Sequence, residues 1–126
     1  MKIIKQIDNL TESNIYIIIE ENYNKAIVID IGNYDKTKEI IIQNNIIVEK
    51  LILTHEHYDH IAGLNQLRKD YNFEVIASSK CNKGIQDCIL NKSRNFGVYL
   101  YFLGKEYKNK VGEYVCKEAN IVFDEN

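Results

Sequence analysis

The chain has 126 residues, 45% of them hydrophobic, which bounds it to one domain with enough apolar material for a real core. Its 16 basic and 18 acidic residues are spread along the sequence for a net charge of −2, so no basic stripe marks a nucleic acid or an anionic membrane as a partner. No signal-peptide pattern opens the chain and no apolar run is long enough to span a bilayer, so a cytoplasmic location is expected.

The β-branched runs Ile3 to Ile7 and Ile15 to Glu20 predict two strands joined by a polar turn. Glu21 to Lys25 reads as a hairpin connection into Ala26 to Ile31, a nearly continuous apolar run of the kind found in a sheet covered on both faces. That strand ends in Asp30-Ile31-Gly32, ordinary turn residues at a sharp exit. Tyr34 to Gln43 predicts an amphipathic helix closed by Asn44-Asn45, and Ile46 to Leu53 predicts the next strand. Strand, helix and strand in that order give the rhythm of an α/β domain, which places ligands at the carboxyl ends of its strands.

At that carboxyl end stands Thr54-His55-Glu56-His57-Tyr58-Asp59-His60, which holds every histidine of the chain. Imidazole and carboxylate together suit zinc and neighbouring first-row metals. Ligands one apart on extended backbone project to the same side, so His55 and His57 can grip one ion. Asp59 and His60 lie where the chain turns into a helix and can serve a second. Glu56, one position out, is expected to face solvent.

The pattern Thr-His-x-His-x-Asp-His after an apolar strand, followed by Ile61-Ala62-Gly63-Leu64, resembles the signature of the metallo-β-lactamase-fold metallohydrolases. The resemblance implies an α/β fold: the N-terminal half of an αββα sandwich, a mixed sheet with helices on one face. It implies a hydrolase that uses a zinc-bound hydroxide on a small ester, thioester, lactone, lactam or phosphodiester. His55 and His57 would hold one zinc, Asp59 and His60 the other, with iron or manganese as alternatives to zinc. Asp59 would also orient or protonate the leaving group, while Asp30 and Thr54 would brace the metal loop.

Ile61 to Tyr71 predicts a helix whose start lies at the motif, where Asp59 gains from the positive helix end, and Gly63 permits a close approach. Phe73 to Ala77 predicts a strand and Lys80 to about Leu90 a helix capped by Ser78-Ser79. Cys81, Cys88 and Cys116 form no Cys-x-x-Cys pair and are expected as reduced, mostly packed thiols. Asn91 to Asn109 fits neither template, and residues 91–118 read as a variable flap or insertion whose aromatic cluster either packs or lines a substrate pocket. Ala119 to Phe123 predicts a last strand.

The chain covers only the first part of the resembled family. The later metal-binding histidines have no counterpart, since no histidine follows His60. Catalytic zinc normally has three protein ligands, so two histidines are too few for the first ion. The domain, residues 1–126, is therefore expected to be incomplete, needing residues beyond this chain, and its partners would be a small-molecule substrate and either further copies or a complementary chain. A rival reading is a non-catalytic or regulatory half-domain that binds metal weakly and associates through an open sheet face. An amidohydrolase-type barrel also opens with His-x-His after a strand, but it would be about twice as long, and Asp59-His60 so close behind is foreign to it.

Overall fold

The computed structural model describes residues 1–8, 13–102, 104 and 113–124. Strands β1 (Lys2–Ile7), β2 (Asn14–Glu20) and β3 (Lys25–Ile29) form an antiparallel meander. Helix α1 (Tyr34–Gln43) then carries the chain over to β4 (Ile47–Ile52), which lies parallel to β3. Two short helices, α2 (Tyr58–Ile61) and α3 (Leu64–Asp70), lead to β5 (Glu74–Ser78), and α4 (Ser79–Ile85) and α5 (Phe96–Phe102) lead to β6 (Ile121–Phe123). The result is one mixed sheet in the order β1-β2-β3-β4-β5-β6, antiparallel at one end and parallel from β3 onward.

Alternation along the strands decides which face is covered. Ile15, Ile17 and Ile19 of β2, Val28 of β3, Leu51 of β4 and Val75 of β5 are buried together with Ile40 and Ile41 of α1, Leu64 and Leu67 of α3, and Cys81 and Ile85 of α4. All these helices therefore lie on one face, as expected of the α/β reading. Each such side chain contributes about 1.5–3 kcal/mol on burial. Between Ala26 and Ile27 the β3–β4 register slips by one, which turns both Val48 and Leu51 inward despite their odd spacing.

The expectation that β3 is covered on both faces fails. On the second face Ile18 is registered with Ile27, and Ile29 with Ile52 and Ile76, and all five remain half-exposed. No helix among the described residues covers them, because the apolar faces of α1, α3 and α4 are spent on the first face.

Three further boundaries differ from the sequence pattern. The helix expected from Ile61 to Tyr71 is two pieces broken at Ala62-Gly63. There the Gly63 N–H turns to the Ile31 carbonyl at 2.8 Å, and a side chain at 63 would meet Ile31 and the Tyr34 backbone within 3.0 Å. α4 stops at Ile85, five residues short of expectation, with the Gln86 N–H closing onto Lys83. The aromatic segment read as neither helix nor strand contains α5, whose Phe96 and Leu100, one turn apart, are buried while Tyr101 and Phe102 stay exposed. Of the proposed flap, residues 103 and 105–112 lie outside the described residues.

Candidate metal centre

The histidine cluster sits where the parallel ladder runs out. Past the ends of the strands, Asp30 N–H still donates to Ile52 O at 2.9 Å and Leu53 N–H to Ile76 O at 3.0 Å. These bonds hold Asp30 beside the start of the motif. Asp30 has a left-handed backbone, φ 62°, which an aspartate tolerates better than most residues and which turns its carboxylate back toward β4.

That carboxylate is 3% exposed and fully employed. Its Oδ1 accepts from Thr54 N–H at 2.8 Å, and its Oδ2 accepts from the Thr54 hydroxyl at 2.6 Å and from His60 Nδ1 at 2.7 Å. Two tautomers follow. With Nδ1–H given to Asp30, neutral His60 keeps its lone pair at Nε2. Because the Thr54 hydroxyl spends its one proton on Asp30, its oxygen is left to accept from His55 Nδ1 at 3.1 Å, which leaves the lone pair of His55 at Nε2 as well.

The structure brings His55, His57, Asp59 and His60 to one place. The rings of His55 and His57 have centroids 4.8 Å apart, and those of His55 and His60 lie 4.0 Å apart. Asp59 Oδ2 is 3.4 Å from His60 Nε2 and accepts a bond from the Ser13 hydroxyl at 2.5 Å. Asp59 lies in the first turn of α2, a single turn of four residues, and is oriented in addition by Ser13, 46 residues away. Among the described residues no three His, Cys, Asp or Glu side chains are gathered tightly enough to hold an ion by themselves. The donor set fits zinc in kind, and its His60–Asp30 pairing is the support that metal-ligating histidines usually have, but it is short in number.

Burial, and then the neighbouring His60 and His57, lower the pKa of His55 below the usual histidine value, which favours its neutral, metal-ligating form. For His60 burial acts in the same sense, but the hydrogen bond and charge of Asp30, with Asp59 behind it, outweigh burial and leave the pKa raised.

Glu56 departs from expectation: it is half-buried rather than in solvent, its side chain lying against Gly84 of α4, where an added Cβ would come within 2.5 Å of it. The sequence reading also missed Asn91, Ser93 and Tyr114. Asn91 O accepts from Tyr58 N–H at 2.7 Å, while its side chain accepts from Ser93 N–H at 2.9 Å and donates to Tyr114 O at 2.8 Å. The Tyr58 ring packs edge-on against Phe96 and Tyr114, at 4.9 and 5.2 Å. Asn91-Lys92-Ser93 carries the signature of an Asx turn, a signal the sequence did offer. Cys81 and Cys116 are buried, Cys88 half-buried, and none forms a disulfide; burial pushes the Cys116 thiol up to about 11.

A sequence profile described as the metallo-beta-lactamase superfamily matches residues 8–113. The hydroxyacylglutathione hydrolase of Prochlorococcus marinus is 36% identical over 89 residues, 70% of this chain and 35% of that protein. The hydroxyacylglutathione hydrolase of Francisella philomiragia subsp. philomiragia is 45% identical over 56 residues, 44% of this chain and 21% of that protein. In structure the chain superposes on the BLEG-1 B3 metallo-beta-lactamase with a TM-score of 0.77 at 16% identity, covering 99% of this chain and 54% of the other. The chain thus spans 21–35% of the length of these curated relatives. No helix among the described residues is long and apolar enough to cross a membrane.

Proposed function

This chain belongs to the metallo-β-lactamase superfamily, and on that premise we propose that it is the zinc-gathering part of a thioester hydrolase. The observation that carries the reading is the convergence of His55, His57, Asp59 and His60 at the end of β4, with His60 held by a buried carboxylate. The thioester is favoured over the other ester-like substrates because the relatives carry the name hydroxyacylglutathione hydrolase, that is, enzymes acting on an acylated thiol. A cytoplasmic location is supported by three cysteines that form no disulfide.

His55 and His57 would hold one zinc, and Asp59 and His60 the other. Zinc bound there would lower the pKa of a water to near ~7 and polarise the substrate carbonyl. The rest is the work of the chain itself. Asp30 and Thr54 fix the tautomers of His60 and His55 with both Nε2 atoms presented. Ser13 pins Asp59 through Oδ2, so Oδ1 is the oxygen left for the second zinc, from which Asp59 would orient the departing thiol. Further ligands, needed to bring the first ion to three, would come from outside this chain.

Zinc analysis combined with hydrolysis of a hydroxyacylglutathione tests the proposal. Weakly held zinc in this chain alone that His57→Ala removes, rising to two zincs with turnover once the remaining ligands are supplied, is the expected result. No zinc held by this chain, or no turnover with those ligands in place, would remove the proposal.

A second reading, a half-domain that binds metal weakly and associates through its open sheet face, is favoured by the half-exposed Ile18, Ile27, Ile29, Ile52 and Ile76 that share that face. Lys50 and Glu74 stand in register on neighbouring strands of that face. A second copy related by a two-fold axis can set each lysine against a glutamate of its mate, which makes the surface self-complementary. Sedimentation velocity decides: a dimer that Ile27→Lys dissolves supports this reading, and a monomer at all concentrations removes it.

A further inference from the structure

Beside the metal donors lies a cavity of about 330 Å³, at the small end of the range for ligand sites. His57 and Asp59 line it together with the apolar Phe96, Val98 and Phe102 of α5 and the polar Lys92 and Asn95. We propose that this cavity receives an apolar arm of the substrate that carries a carboxylate, with Lys92 as the residue that recognises the charge. The proposal deepens the thioester reading and rests on it.

Four observations support the assignment. First, α5 has two apolar faces and the core accounts for only one: Phe96 and Leu100 are buried, while Val98 and Phe102 are 56% and 80% exposed and turned to the cavity. Second, among the described residues neither the Lys92 ammonium nor the Asn95 side-chain amide has an ion pair or hydrogen bond within the chain, so the polar groups of the cavity are not consumed by the fold. Third, Lys92 adopts φ 69°, a conformation that glycine or asparagine takes more readily than lysine, and it does so inside a turn fixed by buried Asn91 and Ser93. Fourth, α5 is fastened to the ligand-bearing loop, through the Phe96 ring against Tyr58 and the Tyr58 N–H on Asn91 O, so cavity and donors keep their relative placement. An apolar lining with one cation in it selects an anionic amphiphile over a neutral or cationic one.

The test is an NMR titration of the ¹⁵N-labelled chain with hexanoate, hexanamide and hexylammonium, which share a chain and differ in charge. Hexanoate is expected to move the amides of Lys92, Asn95, Val98 and Phe102 and to bind at least about fivefold tighter than hexanamide, with hexylammonium weakest; Lys92→Gln should erase the preference while leaving hexanamide unchanged. Equal affinity for the three probes, or hexanoate shifts centred on His55 and His60 and indifferent to Lys92→Gln, overturns the assignment. The titration requires neither zinc nor turnover. A Lys92-dependent carboxylate preference without zinc binding therefore refutes the hydrolase and keeps the subsite, whereas turnover with no such preference refutes the subsite alone. For the active enzyme, the adipoyl monothioester of ethanethiol and S-acetyl-6-mercaptohexanoate place the carboxylate on the acyl and the thiol arm respectively. The one whose KM rises in Lys92→Gln at unchanged kcat identifies the arm, and a KM unchanged for both counts against the proposal.

Discussion

His60 Nδ1 lies 2.7 Å from Asp30 Oδ2, and the same oxygen takes the Thr54 hydroxyl at 2.6 Å. One buried carboxylate thereby sets the orientation of two candidate metal donors. Asp30→Ala strips Thr54 and His60 of that acceptor and adds a residue poorly suited to φ 62°. We expect a loss of about 2–4 kcal/mol in urea unfolding and a fall of about 10–100-fold in zinc affinity by chelator competition. Asp30→Asn tolerates the backbone but not the charge, so it should spare more stability than Asp30→Ala and lose zinc affinity in the same range.

The two histidines with shifted pKa values respond to pH in opposite senses. The folded pKa of His60 is raised, so its contribution to stability is complete below the unfolded value and disappears as pH rises through the folded one. The folded pKa of His55 is lowered, so the unfolded chain binds the proton first and stability is lost as pH falls below the unfolded value, about 6.5. In the zinc-free chain the stability deficit of His60→Gln should therefore be larger at pH 5.5 than at pH 8. His55→Gln should gain on the wild type in the same acidic direction, and urea midpoints at the two pH values check both.

Two glycines that look alike in the sequence carry opposite expectations. A Cβ at Gly32 would lie 2.1 Å from the Asp59 carbonyl oxygen, a backbone atom that cannot step aside without moving a candidate ligand. Gly32→Ala should cost about 1–3 kcal/mol and weaken zinc binding with it. At Gly97, inside α5, nothing lies within 4 Å, so Gly97→Ala should stabilise by about 0.5–1 kcal/mol through backbone entropy. Thermal melts of the two variants should move in opposite directions.

The histidine motif was legible because its donors are close in sequence and lie just after a strand, where local geometry settles the outcome. The limits of α1 were legible for a similar reason: Asn33 caps Lys36 N–H through its own side chain at 3.0 Å and Asn44 closes the far end. What stayed hidden depends on contacts remote in sequence. Ser13 reaches Asp59, Gly63 gives its N–H to Ile31, and α5 exists as a buried helix face because Phe96 finds Tyr58. Glu56 was misplaced because alternation along a strand gives the side on which a residue leaves, and α4 happens to cover that side.

Asn91 is fully buried and links the turn before α5 to the motif. Its side chain serves Ser93 N–H and Tyr114 O, while its backbone oxygen holds Tyr58 N–H. Truncation to alanine leaves Tyr114 O with the Ser93 hydroxyl at 3.1 Å but deprives the buried Ser93 N–H of its acceptor. An unsatisfied buried donor costs about 1–3 kcal/mol, which is the loss expected for Asn91→Ala. Asn91→Asp keeps the acceptor for Ser93 but points a carboxylate at the Tyr114 carbonyl, so it should be no more stable than the alanine variant. Because the turn also carries Lys92, both variants should broaden the amide signals of Tyr58 and Lys92 together in NMR spectra. Broadening at Lys92 with Tyr58 unchanged would mean that the turn and the histidine-bearing loop are not mechanically joined.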